Sequence, residues 1–363
     1  SVHLNSLVPE MSLLDLERVK IPFDEIEKLE EVGKGAFGVI IRGIYQGEVV
    51  AVKTMTEAKS EEGQQKAFND FRKEVWVMSG MTHENLVKLI GFTVNPFSLV
   101  LEFVPCGNLY NLLNRSTTDL DWGLRLRIAL DVAKGMRYLH DATPPFIHRD
   151  LKSPNILINS LDKNAAVVAK VADFGLSSRM YVPALREKSI SRDVANPTWL
   201  APEIIRELEF DELSDVYSFG IILWELLARA HPYGEYPYQF MFELEDVIKS
   251  GSRPSIPPNS PQEYVDLMCA CWSDDPTKRP SFVEIIKVLV SICTDLAPEL
   301  DIPEDILHTK AKVQEEDVAM PDSDVVVFGQ FLKIVNTGPT AKIYSLALVG
   351  ENQVWAGCRD GSI

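Results

Sequence analysis

Eight residues restrict this chain more than any other feature: His148-Arg149-Asp150-Leu151-Lys152-Ser153-Pro154-Asn155, followed at once by the apolar run Ile156-Leu157-Ile158. An acid, a cation and an amide stand within six positions, at the edge of a segment that reads as a short buried strand. Asp173-Phe174-Gly175 begins eighteen residues after Asn155, and Ala201-Pro202-Glu203 follows further on. Isolated, an Asp beside an Arg is usually a surface pair, and a three-residue match is cheap. In this order and at these spacings the matches support one another.

The residue types suit one chemistry. Transfer of a phosphoryl group asks mainly for positioning and charge neutralisation. Asp150 would accept the proton of an attacking hydroxyl and orient it. Lys152 would neutralise charge on the transferred group. Asn155 and Asp173 offer the oxygen ligands that Mg²⁺ prefers, and Asp173 would reach nucleotide phosphates through that ion. His148 reads as a packing residue, and Gly175 lets the backbone turn after Phe174.

The first third of the chain supplies a nucleotide site. Gly33-Lys34-Gly35-Ala36-Phe37-Gly38 is a weak signal alone, since a dinucleotide fold uses the same glycine spacing. That alternative needs a helix to open at the third glycine, but β-branched Val39, Ile40 and Ile41 follow. The loop therefore joins two strands, with backbone amides free to close over triphosphate oxygens and Ile40 over the base. Ala51 and Lys53 lie in the next strand, Lys53 fifteen residues after Gly38. An ammonium on the phosphates needs a partner to fix it, and Glu74 shares a helical face with Met78.

Hydropathy patterning organises these motifs. Short alternating apolar runs from Glu27 to about Val104 predict strands, interrupted by one helix over Gln64–Met81. From Leu109 to Ile292 the apolar period becomes helical, as in Leu124–Leu139 and Val216–Leu227. The expected fold is α+β and bilobal, a small sheet-rich lobe followed by a larger helical one. Residues 1–23 read as a linker from a preceding domain and 24–294 as the two-lobed domain. Residues 295–325 read as an acidic linker, where ten carboxylates stand against Lys310 and Lys312. Three strand-like runs, Val325–Val335, Ile343–Val349 and Gln353–Trp355, then occupy 326–363.

The net charge of −17 argues against nucleic acid or an anionic membrane as main partner. The most apolar stretch, Phe219–Ala228, is short and contains Glu225, so no transmembrane helix is expected. Five cysteines at irregular spacing read as buried free thiols in a reducing compartment, hence a cytoplasmic protein.

Taken together, residues 24–294 resemble a eukaryotic protein kinase of the tyrosine-kinase-like group. Lys152, two residues after Asp150, is similar to the serine/threonine-specific members. Closer still is the Roco family of leucine-rich-repeat-kinase-like enzymes. The likeness rests on Leu101-Glu102-Phe103-Val104-Pro105-Cys106-Gly107-Asn108-Leu109 and on the long connection from Leu157 to Lys170.

The resemblance implies ATP and Mg²⁺ as cofactors, a protein substrate, and autophosphorylation. It makes Leu101 the gatekeeper, Glu102 to Val104 the hinge that bonds the base, and Leu157 a further nucleotide contact. Met78, Leu89, His148 and Phe174 would stack as an apolar spine. Glu203 would pair with Arg279, and Asp215 would accept backbone amides near the catalytic loop. A GTPase-linked dimerisation region would precede the kinase, giving a homodimer. A WD40 β-propeller, begun at Ile343–Ile363, would follow. Arg149 could pair with a phosphate on the 176–200 loop, with Ser189, Ser191 and Thr198 as candidate acceptors and Ser177 and Ser178 as weaker ones.

The sequence departs from the family in one place. Many serine/threonine members carry Gly-Thr where Ala195 and Asn196 stand here, which weakens the usual peptide-positioning argument. Three other readings compete. A pseudokinase would usually have lost Lys53, Asp150, Asn155 or Asp173. A small-molecule phosphotransferase would as a rule lack the Ala201-Pro202-Glu203 segment and the helix at Asp215. A binding module would depend on the acidic linker and its C-terminal strands.

Overall fold

A computed structural model describes residues 18–35, 38–55, 61–143, 145–175, 178–179, 196–206, 211–302, 343–349 and 353–358. The chain divides into two compact units, Ser1–Ala311 and Lys312–Ile363.

The first unit opens with a five-stranded antiparallel sheet ordered β1-β2-β3-β5-β4: β1 Glu27–Gly35, β2 Gly38–Tyr45, β3 Glu48–Met55, β4 Leu89–Val94 and β5 Phe97–Glu102. Alternation along β3 sets Val50 and Val52 in a small core with Ile21, Ile26 and Val100. Helix α1 (Glu61–Ser79) packs on β4 and β5, because Phe71, Val75 and Met78 recur on one face.

Residues that read as linker belong to this lobe. Lys20 bridges to Phe92, Ile21 N donates to Phe92 O at 2.8 Å, and Ile21 is buried. Gly91 makes this approach possible, since a Cβ there would run into Val19 O and the Ile21 side chain.

The helical lobe follows: α2 Leu109–Asn114, α3 Trp122–His140, α4 Pro202–Ile205, α5 Glu212–Ala228, α6 Met241–Lys249, α7 Gln262–Cys271 and α8 Phe282–Leu296. Short strands β6 (Phe146–Ile147) to β9 (Ser178–Arg179) pair as β6-β9, and β7 (Ile156–Ile158) with β8 (Ala169–Val171). Helix α5 is the lobe's axis. Thirteen of its seventeen residues are buried, which explains why the sequence there is apolar on every side. Asp211 caps it, accepting from Leu213 N and Ser214 N.

The lobe runs past the expected edge at 294. Helix α8 ends at Leu296, Ala297 is buried, and Glu299 Oε1 takes Lys163 Nζ at 2.6 Å. The remainder of the expected acidic linker, from residue 303, lies outside the described residues.

The second unit shows a two-stranded antiparallel hairpin, β10 Ile343–Val349 with β11 Gln353–Cys358. Two of the three expected strand runs fall here, and the run at Val325–Val335 lies outside the described residues. No described helix is long and apolar enough to cross a membrane. The thiols differ from expectation: Cys271 and Cys293 are buried, but Cys106 is exposed.

Candidate active site

The site is assembled from both parts of the first unit. Lys53 leaves β3 and meets a carboxylate on each side: its Nζ donates to Glu74 Oε1 and to Asp173 Oδ1, both at 2.9 Å. Burial alone would lower the Lys53 ammonium. Glu74 and Asp173 outweigh it and hold the group above the ordinary lysine value. The same contact works on Asp173 in reverse. Burial would raise its carboxyl, but Lys53 holds it below the usual range. These contacts tie the sheet, α1 and the Asp173-Phe174-Gly175 segment together.

The second group gathers on Asp150. Lys152 Nζ donates to Asp150 Oδ1 at 2.8 Å and Oδ2 at 2.7 Å, and Asn155 Nδ2 donates to Asp150 O and Oδ2, each at 2.9 Å. Arg149 and Asp173 both adopt φ of 67°, a conformation that non-glycine residues rarely take. Asp215 on α5 holds the loop there as expected, accepting from His148 N at 2.8 Å and Arg149 N at 2.9 Å. His148 is buried, with Nε2 against Ala172 O, and its ring stands 5.3 Å from that of Phe174. Phe174 and Met78 lie buried in the main core, with Leu89 packed against it.

The residues expected around a base also meet. Leu101 and Leu157 pack against Val87, Val104 and Ala172 in one small apolar cluster. Ala51 lies opposite Leu101 in the sheet, and Ile40 opposite Lys53. Gly33 and Gly35 end β1, and Gly35 pairs with Gly38. Gly38 has φ of 143°, and a Cβ there would run into Thr54 O, so the third glycine is obligatory. Ala36 and Phe37 lie outside the described residues, as does the Lys34 side chain.

Sequence reasoning did not find what the Glu102 side chain does. Its Oε1 accepts from Lys88 N and Lys170 Nζ, each at 2.8 Å, fastening the connection between lobes to β8. Lys170 was legible as a residue but not as a partner, because the two lie sixty-eight positions apart.

Two expected features are placed differently. Thr198, a candidate phosphate acceptor, is buried, and its hydroxyl donates to Asn196 Oδ1 at 2.7 Å. Asn196 caps its own turn through Thr198 N and Oγ1, and among the described residues it makes no hydrogen bond to Asp150 or Lys152. Ser177, Ser189 and Ser191, and the Ser178 side chain, lie outside the described residues. The structural ion pair is present: Arg279 grips Glu203 with two nitrogens, at 2.6 and 2.8 Å.

The arrangement fits Mg²⁺. Asn155 spends its amide nitrogen on Asp150, which leaves the carbonyl oxygen for a metal. Asp173 engages Lys53 through Oδ1, with Oδ2 to spare. No cluster of three or more His, Cys, Asp or Glu side chains that could hold a metal exists among the described residues.

A sheet lobe, a helical lobe and a buried ammonium facing an acid-bearing loop define a phosphotransferase of the kinase fold. The family of protein tyrosine and serine/threonine kinases matches residues 26–289, and the chain belongs to it. Among curated proteins of Dictyostelium discoideum it is similar to cyclic GMP-binding protein C, 41% identical over 317 residues, covering 81% of this chain and 12% of that protein. It is also similar to the probable serine/threonine-protein kinases roco5 (42% over 292 residues; 78% and 10%) and roco6 (46% over 276; 74% and 13%). The chain thus spans about a tenth of the length of the relatives it matches.

Proposed function

We propose that this chain transfers the γ-phosphoryl group of Mg·ATP to serine and threonine hydroxyls of proteins, itself included. The observation that carries the reading is the meeting of two groups: Lys53 between Glu74 and Asp173, and Lys152 with Asn155 on Asp150.

The roles follow from that geometry. Lys53, fixed on both sides, holds the α- and β-phosphates without a search of rotamers. Asn155 and Asp173 would hold Mg²⁺, which would supply positive charge against the phosphates. Asp150 orients the acceptor hydroxyl and takes its proton as the hydroxyl oxygen bonds to the γ-phosphorus. The bond to the β–γ bridging oxygen breaks, and its electron pair leaves with ADP. Lys152 moves from neutralising Asp150 to neutralising the transferred group. Leu101, Val104, Ala172 and Leu157 enclose the base. Lys152 and the names of the relatives support serine/threonine acceptors over tyrosine.

The wider reading is a Roco-like signalling protein. In it a GTPase-linked dimerisation region and a WD40 propeller flank the kinase, which acts in the cytoplasm and is regulated by a phosphate on Ser189 or Ser191 that Arg149 would pair with. A pseudokinase is disfavoured because all four polar groups are present, Lys53 bonded to Asp173 and Asn155 to Asp150.

The test is incubation of the chain with Mg·ATP and mass spectrometry of the product. Phosphoserine or phosphothreonine is expected in the native chain and none in Asp150→Ala, which should still bind ATP. Phosphotyrosine would refute the specificity, and ATP binding without transfer in the native chain would favour the pseudokinase. Turnover by Asp150→Ala would remove that residue from its role.

A further inference from the structure

An open cavity of about 340 Å³ lies at the C-terminal end of α5 and shares no lining residue with the site described above. Trp224, Ile256 and Pro257 give it apolar walls, and Ser255, His231 and Glu235 supply polar atoms. The walls are tied to one another. Trp224 Nε1 donates to Ser255 O at 2.8 Å, and Ser255 N donates to Glu235 Oε1 at 2.6 Å. The Glu235 carboxylate is thus held in place by a backbone amide, and its Oε2 has no partner among the described residues. Such a cavity is formed before a ligand arrives, which lowers the cost of binding one.

Its charge is single and negative. Glu235 is exposed, while burial lowers the His231 imidazole and leaves it neutral at neutral pH. Apolar walls with one carboxylate suit a long side chain that has an alkyl stem and a cationic head, which describes lysine and arginine. An acidic ligand would meet Glu235 on a chain whose net charge is already −17.

The place of the cavity in the fold says whose side chain that is. The His231 ring stands 6.1 Å from the ring of Trp199 and 6.0 Å from that of Tyr110 on α2. Trp199 ends the turn Pro197–Trp199, which leads into Ala201-Pro202-Glu203, the segment that would seat the acceptor protein. It is held beside the catalytic loop, since Trp199 Nε1 and Ser153 Oγ bond the two oxygens of Glu225, at 2.8 and 2.6 Å.

On the reading of function proposed above, we propose that this cavity is a specificity subsite. It takes a lysine or arginine of the acceptor protein, at a fixed separation along the acceptor chain from the hydroxyl that is phosphorylated. The stem lies on Trp224, Ile256 and Pro257, and the cationic head meets Glu235 Oε2. An exposed ion pair gains little, so the subsite selects among acceptors and does not hold them by itself.

The test walks one arginine through peptides of alanine with a single serine, each incubated with Mg·ATP and the full chain. One position should raise kcat/KM about fivefold over the peptide without arginine. Glu235→Gln keeps the bond from Ser255 N through its carbonyl oxygen but loses the charge, and it should bring that ratio to near one. Glu235→Lys should move the preference to glutamate at the same position, a gain that misfolding would not produce. A ratio unchanged by Glu235→Gln, or no preferred position in the native chain, would overturn the proposal.

A second measurement does not need turnover. Fluorescence anisotropy of the same peptides, labelled with fluorescein, reads binding alone. The best arginine peptide should bind the native chain about fivefold more tightly than the alanine peptide, and lose that advantage in Glu235→Gln. This pattern in a chain that transfers nothing would refute the kinase reading and leave the cation site standing. Equal binding of every peptide by the native chain would overturn the site itself.

Discussion

Two acidic residues on α5 show how little a residue's type says about its surroundings. Asp215 accepts two backbone amides and the His140 ring. Glu225 has only a hydroxyl and an indole, and burial raises its carboxyl from 4.5 to about 8. A pKa raised on folding means the folded chain holds a proton that the unfolded chain has released. This contribution to stability is complete below about 4.5 and falls as pH rises towards 8, by about 1.4 kcal/mol per unit. Glu225→Gln lacks that slope. Relative to the native chain, the variant should gain roughly 2 kcal/mol between pH 6 and pH 8 in urea unfolding. A difference independent of pH would mean that Glu225 is ionised in the folded protein. The sequence showed Glu225 only as a charge that spoils a membrane span, because its partners lie seventy-two and twenty-six positions away. Lys53, Asp150, Asn155 and Asp173 were legible by contrast, since their spacing along the chain carries their chemistry. Thr198 was misjudged for the same reason as Glu225. A hydroxyl in a presumed loop looks available until folding buries it under Asn196.

Elements were legible where a local period set them and illegible where a neighbour did. The first helix was expected over Gln64–Met81 and spans Glu61–Ser79; the strand and helix regions fall in the order anticipated. Residues 18–21 carry no period of their own. They are ordered by β4, through the Ile21–Phe92 hydrogen bond and the space over Gly91. Gly91→Ala should cost about 1–3 kcal/mol, because a methyl there displaces Val19 and Ile21. The cost should nearly vanish in a chain starting at Pro22, where the displaced residues are gone. Thermal unfolding of the four combinations measures it. An undiminished cost in the shortened chain would place the strain in the sheet itself and not in the docked segment.

At the scale of the molecule, α5 is the element to which the segments of the site are fixed. It holds the catalytic loop through Asp215 and Glu225, the acceptor segment through Ser218, and Glu203 through Ser214. The bilobal plan was readable because each lobe has one dominant period. Its edges were not, since an edge is set by where packing stops. The edge expected at 294 ignores Leu296, Leu300 and Ile302, which pack against the main core, and buried Ala297. Their partial burial contributes about 3 kcal/mol, at about 0.8 kcal/mol per buried methylene. A chain ending after Ile302 should therefore melt roughly 5 °C or more above one ending after Thr294, for a domain of this size. Both lack the second unit, so the comparison isolates these eight residues. The longer chain should transfer phosphoryl groups at the higher temperature at which the shorter one has begun to unfold. Equal melting temperatures would return the edge of the kinase domain to residue 294 and make the packing of Ala297 and Leu300 incidental.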